Sequence, residues 1–184
     1  MKIILASSSP RRAELLRRIV GDFEIKSPEL VETLDLQKST AENCERLAVE
    51  KARSVFEKNS ITIGSDTLGE LAGKIFGKPR SKSAAIEFLR KLSGKTHQVI
   101  SAYCVKTDDQ EIIGHAITSV AFRELHQAEI EKYVAGNPVE QFAAAYAIQG
   151  SAKSFVKSLE GTIETVIGLP LTEIQKVLGD LGVR

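Results

Sequence analysis

The chain has 184 residues, 42% of them hydrophobic and 27% charged, which excludes disorder and collagen-like repeats and leaves an ordinary globular protein. At this length one core can bury roughly 70% of the surface that the unfolded chain exposes, so a single domain over residues 1–184 is expected. The 25 Lys and Arg nearly balance 24 Asp and Glu, and a net charge of +1 offers no broad footprint for a nucleic acid polymer or an anionic membrane; a polyanionic ligand must be small and met by a few local cations.

Ile3-Ile4-Leu5 reads as a short buried strand, followed by a serine-rich turn and a helix with Ser9 as N-cap and Pro10 at its first position. That helix is expected to run to Gly21, with Ala13, Leu16 and Val20 inward and Arg17 and Arg18 in its last turn, where cations suit the macrodipole. Phe23 and Ile25 alternate with charges as a half-buried strand would, and the loop after Ser27-Pro28 carries Glu32 and Asp35. Ser39 and Glu42 have capping-box spacing, and Cys44, Leu47, Ala48, Ala52, Val55 and Phe56 recur at helical intervals up to Asn59. Lys51 breaks that apolar stripe. Its stem must lie along the buried face, and its ammonium then needs an anion, either a carboxylate or a ligand phosphate.

Ile61-Thr62-Ile63 reads as a second short strand, ending in Gly64-Ser65-Asp66-Thr67, and Ala72-Gly73 predicts a hairpin leading to Gly77-Lys78-Pro79. Ser81 caps a helix with Ala84, Ala85, Phe88, Leu89 and Leu92 on one face and Lys82, Arg90 and Lys91 in solvent. Two runs rich in β-branched and aromatic residues, His97–Val105 and Glu111–Phe122, are joined by a turn at Asp108-Asp109. A helix over about Ala128–Ala135 stops at Gly136-Asn137-Pro138, and a last helix begins near Thr172 with Ile174, Val177, Leu178 and Leu181 inward. Interleaved helices and strands with one strong hairpin predict an α/β fold with a mixed sheet.

Three groupings can carry chemistry. In ASSSPRR, Ala6 to Arg12, hydroxyls, backbone N–H groups and two arginines converge on a helix N-terminus, which suits phosphate; the alternative is a capped helix with solvated arginines. Asp66, at the end of an apolar strand, can hold a divalent metal or orient water with Glu32 as partner, or can simply form a turn. Lys51 and Lys78 are the cationic candidates, with a packed stem and solvated tip as the alternative; Gly77-Lys78-Pro79 lacks the frame of a P-loop.

Other chemistries have little support. His97, His115 and His126 show no metal-ligand spacing, and the serine cluster lacks a histidine and an acid beside it. Cys44 and Cys104 stand apart from any CxxC pair, which fits a reducing cytoplasm, and the apolar run Ile3–Ala6 is too short for a signal peptide. No window approaches the roughly 20 apolar residues of a membrane span.

Taken in order, ASSSPRR, Glu32, LAVEKA (Leu47 to Ala52), GSDT (Gly64 to Thr67), GKP (Gly77 to Pro79), LSGKTHQV (Leu92 to Val99), AYAIQG (Ala145 to Gly150) and GLPL (Gly168 to Leu171) resemble the Maf family of nucleotide pyrophosphatases over nearly the whole chain. The resemblance implies a cytoplasmic enzyme that cleaves a nucleoside triphosphate between its α and β phosphorus atoms, releasing monophosphate and pyrophosphate with Mg²⁺, Mn²⁺ or Co²⁺. It also implies a curved mixed sheet with helices in two lobes around a cleft, as in inosine triphosphate pyrophosphatase. Asp66 resembles the family's acceptor of a proton from the attacking water and, with Glu32, its metal-facing acids. Ser7, Arg12, Lys51 and Lys78 resemble its phosphate-contacting set. Arg11, Thr67 and Gln149 resemble the branch that takes dTTP and UTP.

The chain departs from the family pattern in places: Ala144 and Ala147 stand where glycine is usual, Phe142 where lysine is frequent, and Gly69 and Glu70 where apolar residues are usual. Two other readings accompany the first. One is a pyrophosphatase for 7-methyl-GTP or a noncanonical nucleotide; the other is a nucleotide-binding regulator of cell division, in keeping with the family's association with septum formation. A homodimer is common in such folds.

Overall fold

The computed structural model describes residues 1–183. Strand β1 (Lys2–Ala6) is buried from Ile3 to Ala6, as expected of a strand with parallel neighbours on both sides. It pairs in parallel with β2 (Glu24–Lys26) and with β3 (Ser60–Leu71). On β2, Ile25 is exposed rather than half-buried, because this three-residue strand closes the sheet order at one end. Helix α1 (Pro10–Leu16) starts at Ser9 and Pro10 as expected, without a side-chain cap bond. It stops short of Gly21: the N–H groups of Arg18 and Ile19 turn back three residues to the carbonyls of Leu15 and Leu16, the tightening typical of a helix end. Arg17 is therefore the C-cap and Arg18 lies beyond it.

Helix α2 (Thr40–Ser54) has the predicted capping box, with Ser39 Oγ accepting the Glu42 N–H at 3.2 Å and the Glu42 carboxylate accepting the Ser39 N–H at 2.8 Å. It ends at Ser54 rather than Asn59. Ser54 Oγ bonds the Lys51 carbonyl at 2.9 Å, and the Val55 N–H turns to the carbonyl of Arg53 instead. The helix lies directly on β3 at Gly64, where a Cβ would stand 2.2 Å from the Ala48 carbonyl oxygen and 2.7 Å from the Ala52 nitrogen. Gly64→Ala must push α2 away from the strand. It is expected to cost about 2–3 kcal/mol, read as a lower urea midpoint at unchanged m-value; an unchanged midpoint would show that the contact yields freely.

β3 is the main difference from the sequence reading. It is one strand of 12 residues that continues through Asp66 instead of ending there. β1 accompanies it as far as Gly64, and β4 (Lys74–Phe76) pairs antiparallel with it from Gly69, so Asp66 lies between two registers. The change of partner, not the end of the strand, marks the site. Ala72 and Gly73, with φ of 50° and 76°, make the predicted hairpin turn.

Ser81 caps α3 (Lys82–Leu92), its Oγ accepting the Ala84 N–H at 3.2 Å. β5 (Thr96–Lys106) and β6 (Glu111–Phe122) are neighbours in the sheet, with the Thr107 N–H bonded to the Gln110 carbonyl in the turn between them. After α4 (Gln127–Gly136) comes a stretch for which the sequence pattern predicted no element. It holds 3₁₀ turns at Val139–Gln141, Ala143–Ala145 and Ser151–Phe155, strand β7 (Val156–Glu160) and helix α5 (Ile163–Ile167). The last helix, α6 (Leu171–Asp180), buries Ile174, Val177 and Leu178, while Leu181 is a half-buried C-cap.

The strand order is β2-β1-β3-β5-β6-β7 with β4 on β3, and parallel and antiparallel pairs coexist: the fold is α/β with a mixed sheet. The chain forms two compact units, one of residues 1–66, 101–116 and 168 onward, the other of Thr67–Ile100 and Ile117–Ile167. The second has a core of its own around Leu89, Phe122, Ile130, Tyr146 and Phe155. Among the described residues no helix is long and apolar enough to cross a membrane.

Candidate active site

In the first unit Lys51 is 4% exposed and Asp66 5%, and the Lys51 ammonium bonds the Asp66 carboxylate. Lys51 Nζ also lies 2.8 Å from Glu32 Oε1. The sequence creates this meeting in two steps. Asn43, Leu47 and Lys51 follow one another at four-residue intervals on the inner face of α2. Gly64 then admits that face to β3, and Asp66, two residues further, points to the same side of the strand. The anion that buried Lys51 demands is thus a pair of carboxylates.

Glu32 belongs to an irregular loop, and the residues that hold this loop escaped the sequence reading. Asn43, wholly buried, accepts the Asp35 N–H at 2.8 Å with Oδ1 and donates through Nδ2 to the Asp35 carbonyl at 2.8 Å, as a neighbouring strand would. Arg46 donates to the Thr33 carbonyl. The signal for Asn43 was available, since it is a polar residue on the same apolar stripe as Lys51.

Arg12 is half-buried and grips backbone: Nε donates to the Gly168 carbonyl at 2.7 Å and Nη1 to that of Ser65 at 2.9 Å. Burial lowers its guanidinium from the ordinary arginine range, and the charges of Asp66 and Glu32 oppose that shift. Ser65 Oγ, fully buried, reaches the carbonyls of Ala102 at 2.7 Å and Gly168 at 2.9 Å. Gly168 has a φ of 121°, so this junction requires glycine. Ser7 is buried one residue past the Ala6–Gly64 pair, and its Oγ accepts the Ser9 N–H at 3.1 Å. Arg11 is half-buried in the first turn of α1.

The structure therefore gathers Lys51, Asp66 and Glu32 in direct contact, with Arg12 within their electrostatic reach. Among the described residues no group of three or more His, Cys, Asp or Glu side chains converges as a metal cage. Two hard carboxylates around one cationic position do fit a Mg²⁺-type ion, which takes one or two protein carboxylates and completes its shell with water and phosphate oxygens.

Thr67, Lys78 and Gln149 belong to the second unit. Lys78 and Gln149 are exposed and Thr67 half-buried. The Gly77 carbonyl, just before Lys78, accepts the Ala144 N–H at 3.1 Å. Of the two alanines at usual glycine positions, Ala144 takes a left-handed φ of 54°, whereas Ala147 is not among the positive-φ residues.

Residues 2–181 match the family described as Maf-like protein. A dTTP/UTP pyrophosphatase of Aquifex aeolicus is 40% identical over 184 residues, covering 98% of this chain and 96% of its own. One of Symbiobacterium thermophilum is 39% identical over 184 residues, covering 98% and 94%, and one of Bacillus anthracis 40% identical over 179 residues, covering 96% and 94%. The solved structure of the Staphylococcus aureus Ham1 protein overlaps 66% of this chain and 72% of its own at 17% identity and a TM-score of 0.44, too slight a likeness to bear on the site.

Proposed function

The chain belongs to the Maf family, and from that premise we propose that it hydrolyses dTTP and UTP to the monophosphate and pyrophosphate by attack of water at the α-phosphorus. The observation that carries this reading is the buried Lys51 bridging Asp66 and Glu32. Binding alone needs carboxylates there only to carry a metal, whereas hydrolysis also needs a base beside the α-phosphorus, a part that Asp66 can take.

Asp66 accepts the proton of the attacking water. Lys51, with Ser7, Arg12 and Lys78, binds phosphate oxygens, and a phosphate oxygen that takes the Lys51 ammonium leaves the Asp66 carboxylate open to the attacking water. Glu32 and Asp66 would hold the divalent cation, which would supply charge neutralisation for the triphosphate and the departing pyrophosphate. Arg11, Thr67 and Gln149 select the base. Residues 1–184 work as one domain, because β3, β5 and β6 each run through both units. Cys44 and Cys104, both buried and not joined by a disulfide, support a cytoplasmic setting.

The direct test is phosphate release from UTP with Mg²⁺, Mn²⁺ or Co²⁺, with and without added inorganic pyrophosphatase. Release only in the coupled assay is expected. Release without coupling places the cleavage at another bond, and nucleotide binding without release supports the regulator of cell division.

Gln149→Glu should penalise UTP selectively, because one amide donor becomes an acceptor and a carboxylate must be desolvated against an uncharged base. The expected cost is about 1–3 kcal/mol, or ~5 to 150-fold in kcat/KM. The ratio of kcat/KM for UTP to that for 7-methyl-GTP measures it, since the positive charge of the methylated purine offsets part of that penalty. An unchanged ratio would leave base choice to Arg11 and Thr67.

A further inference from the structure

The stretch from Ala143 to Gly150 is held more firmly than a connection between elements requires. Ala144 and Ala145 have φ of 54° and 67°, a left-handed pair that alanine adopts only against a steric penalty. Four contacts oppose that penalty. The Ala144 N–H donates to the Gly77 carbonyl at 3.1 Å. Its methyl lies over Gly69, where a Cβ would come within 2.9 Å of it. The Ala147 N–H donates to Tyr133 Oη at 3.1 Å. Tyr146 Oη lies 2.8 Å from His97 Nε2, and the Tyr146 ring stands edge-on to His97 and Phe122.

His97 is the unexpected member. It is 1% exposed, burial pushes its imidazole down to about 4, and its Nδ1 is buried without a hydrogen-bond partner. A residue placed only for packing would be apolar, since an unpaired buried nitrogen is a standing cost. The polar function retained here is the bond to Tyr146. From this anchor the chain leads in two directions: back through Ala144 to Gly77 and Lys78, and forward past the buried Ile148 to the exposed Gln149.

We propose that His97 and Tyr133 are positioning residues which, through Tyr146 and the Ala147 N–H, lock one left-handed turn that sets Gln149 and Lys78 together, so that base choice and phosphate binding are adjusted by the same clamp. The proposal rests on the reading of Gln149 as the base-selecting residue and Lys78 as a phosphate ligand. Ala144 and Gly69, both departures from the family pattern, form a matched pair within the clamp: the missing side chain at 69 leaves the room that the methyl at 144 occupies.

The test uses the whole enzyme, with KM and kcat/KM for UTP and for 7-methyl-GTP and a thermal midpoint for each variant. Tyr146→Phe and Tyr133→Phe remove one hydroxyl each. Each is expected to lower the UTP to 7-methyl-GTP ratio at least 5-fold and to raise KM for UTP while the protein stays folded. Gly69→Ala disturbs the turn without touching a hydrogen bond and should do the same, and adding Ala144→Gly should restore the wild-type ratio. An equal fall in kcat for both nucleotides, with ratio and KM unchanged, would mean a merely structural role and overturn the proposal. If the tyrosine variants do not fold, Gly69→Ala decides, and a wild-type ratio and KM there overturn it. A wild-type protein that does not turn over UTP would overturn the functional reading and this inference with it; a wild type active on UTP with indifferent variants overturns this inference alone.

Discussion

Asp66→Asn is expected to lower kcat for UTP at least about 100-fold, the smaller end of what a positioned general base contributes and close to 2.7 kcal/mol of transition-state stabilisation. The amide keeps the size of the carboxylate but cannot take a proton from water. Stability should fall as well, because the buried Lys51 ammonium keeps only the water-screened Glu32, 2.8 Å away, as an anion, although Asn can still accept a hydrogen bond from it. The measurement is single-turnover hydrolysis of UTP at saturating metal, beside a thermal midpoint. A variant that keeps more than about a tenth of wild-type kcat, a loss below ~1.4 kcal/mol, removes Asp66 from the role of base. A variant that unfolds shows instead that the charge of Asp66 maintains the fold.

Most of the first unit was legible because local rules and tertiary packing agree there. The capping box at Ser39 and Glu42, the stripe from Cys44 to Ala52 and the apolar runs of β1 and β3 all lead to the same core. Lys51 was legible as a conflict, a charge on an apolar face, and the conflict implied an anion without saying which. Its answer depends on two distant segments, β3 and the loop of Glu32, which only the fold brings together. Asp66 was misplaced at a strand end because the glycine and serine before it resemble a turn. In the folded chain Gly64 is there for the approach of α2, and the strand runs on to a second partner.

The second unit was legible in its helices and long strands but not between Val139 and Ile167. There the 3₁₀ turns are only three to five residues long, and β7 has just two apolar residues, Val156 and Leu159, neither fully buried. Such elements are specified by what they touch. His97 shows the same limit: its place in a β-branched run excluded a metal-ligand spacing but gave no partner, and its bond to Tyr146, 49 residues away, comes only from the fold.

Lys51→Met is the variant for which sequence and structure lead to opposite expectations. On the stripe alone methionine fills the site without needing an anion, and stability should hold or improve. In the folded protein the ammonium answers a carboxylate whose side chain is 7% exposed, so methionine leaves Asp66 in the interior without that partner. Removing one member of such a buried pair typically costs about 3–5 kcal/mol, and Glu32, at 37% side-chain exposure, adds little because water already screens it. The expected result is a urea midpoint lowered at unchanged m-value. Most of the loss should return in Lys51→Met/Asp66→Asn, where no buried charge is left behind, and the cycle of single and double variants isolates the coupling. If Lys51→Met alone stays within about 1 kcal/mol of wild type, the pair does not act as a buried unit, and the main partner of Lys51 is the incoming triphosphate. Loss of stability in the single variant with recovery in the double would instead show that Lys51 and Asp66 act as a buried pair in the free enzyme, so that a phosphate oxygen can take the ammonium only by drawing it away from Asp66.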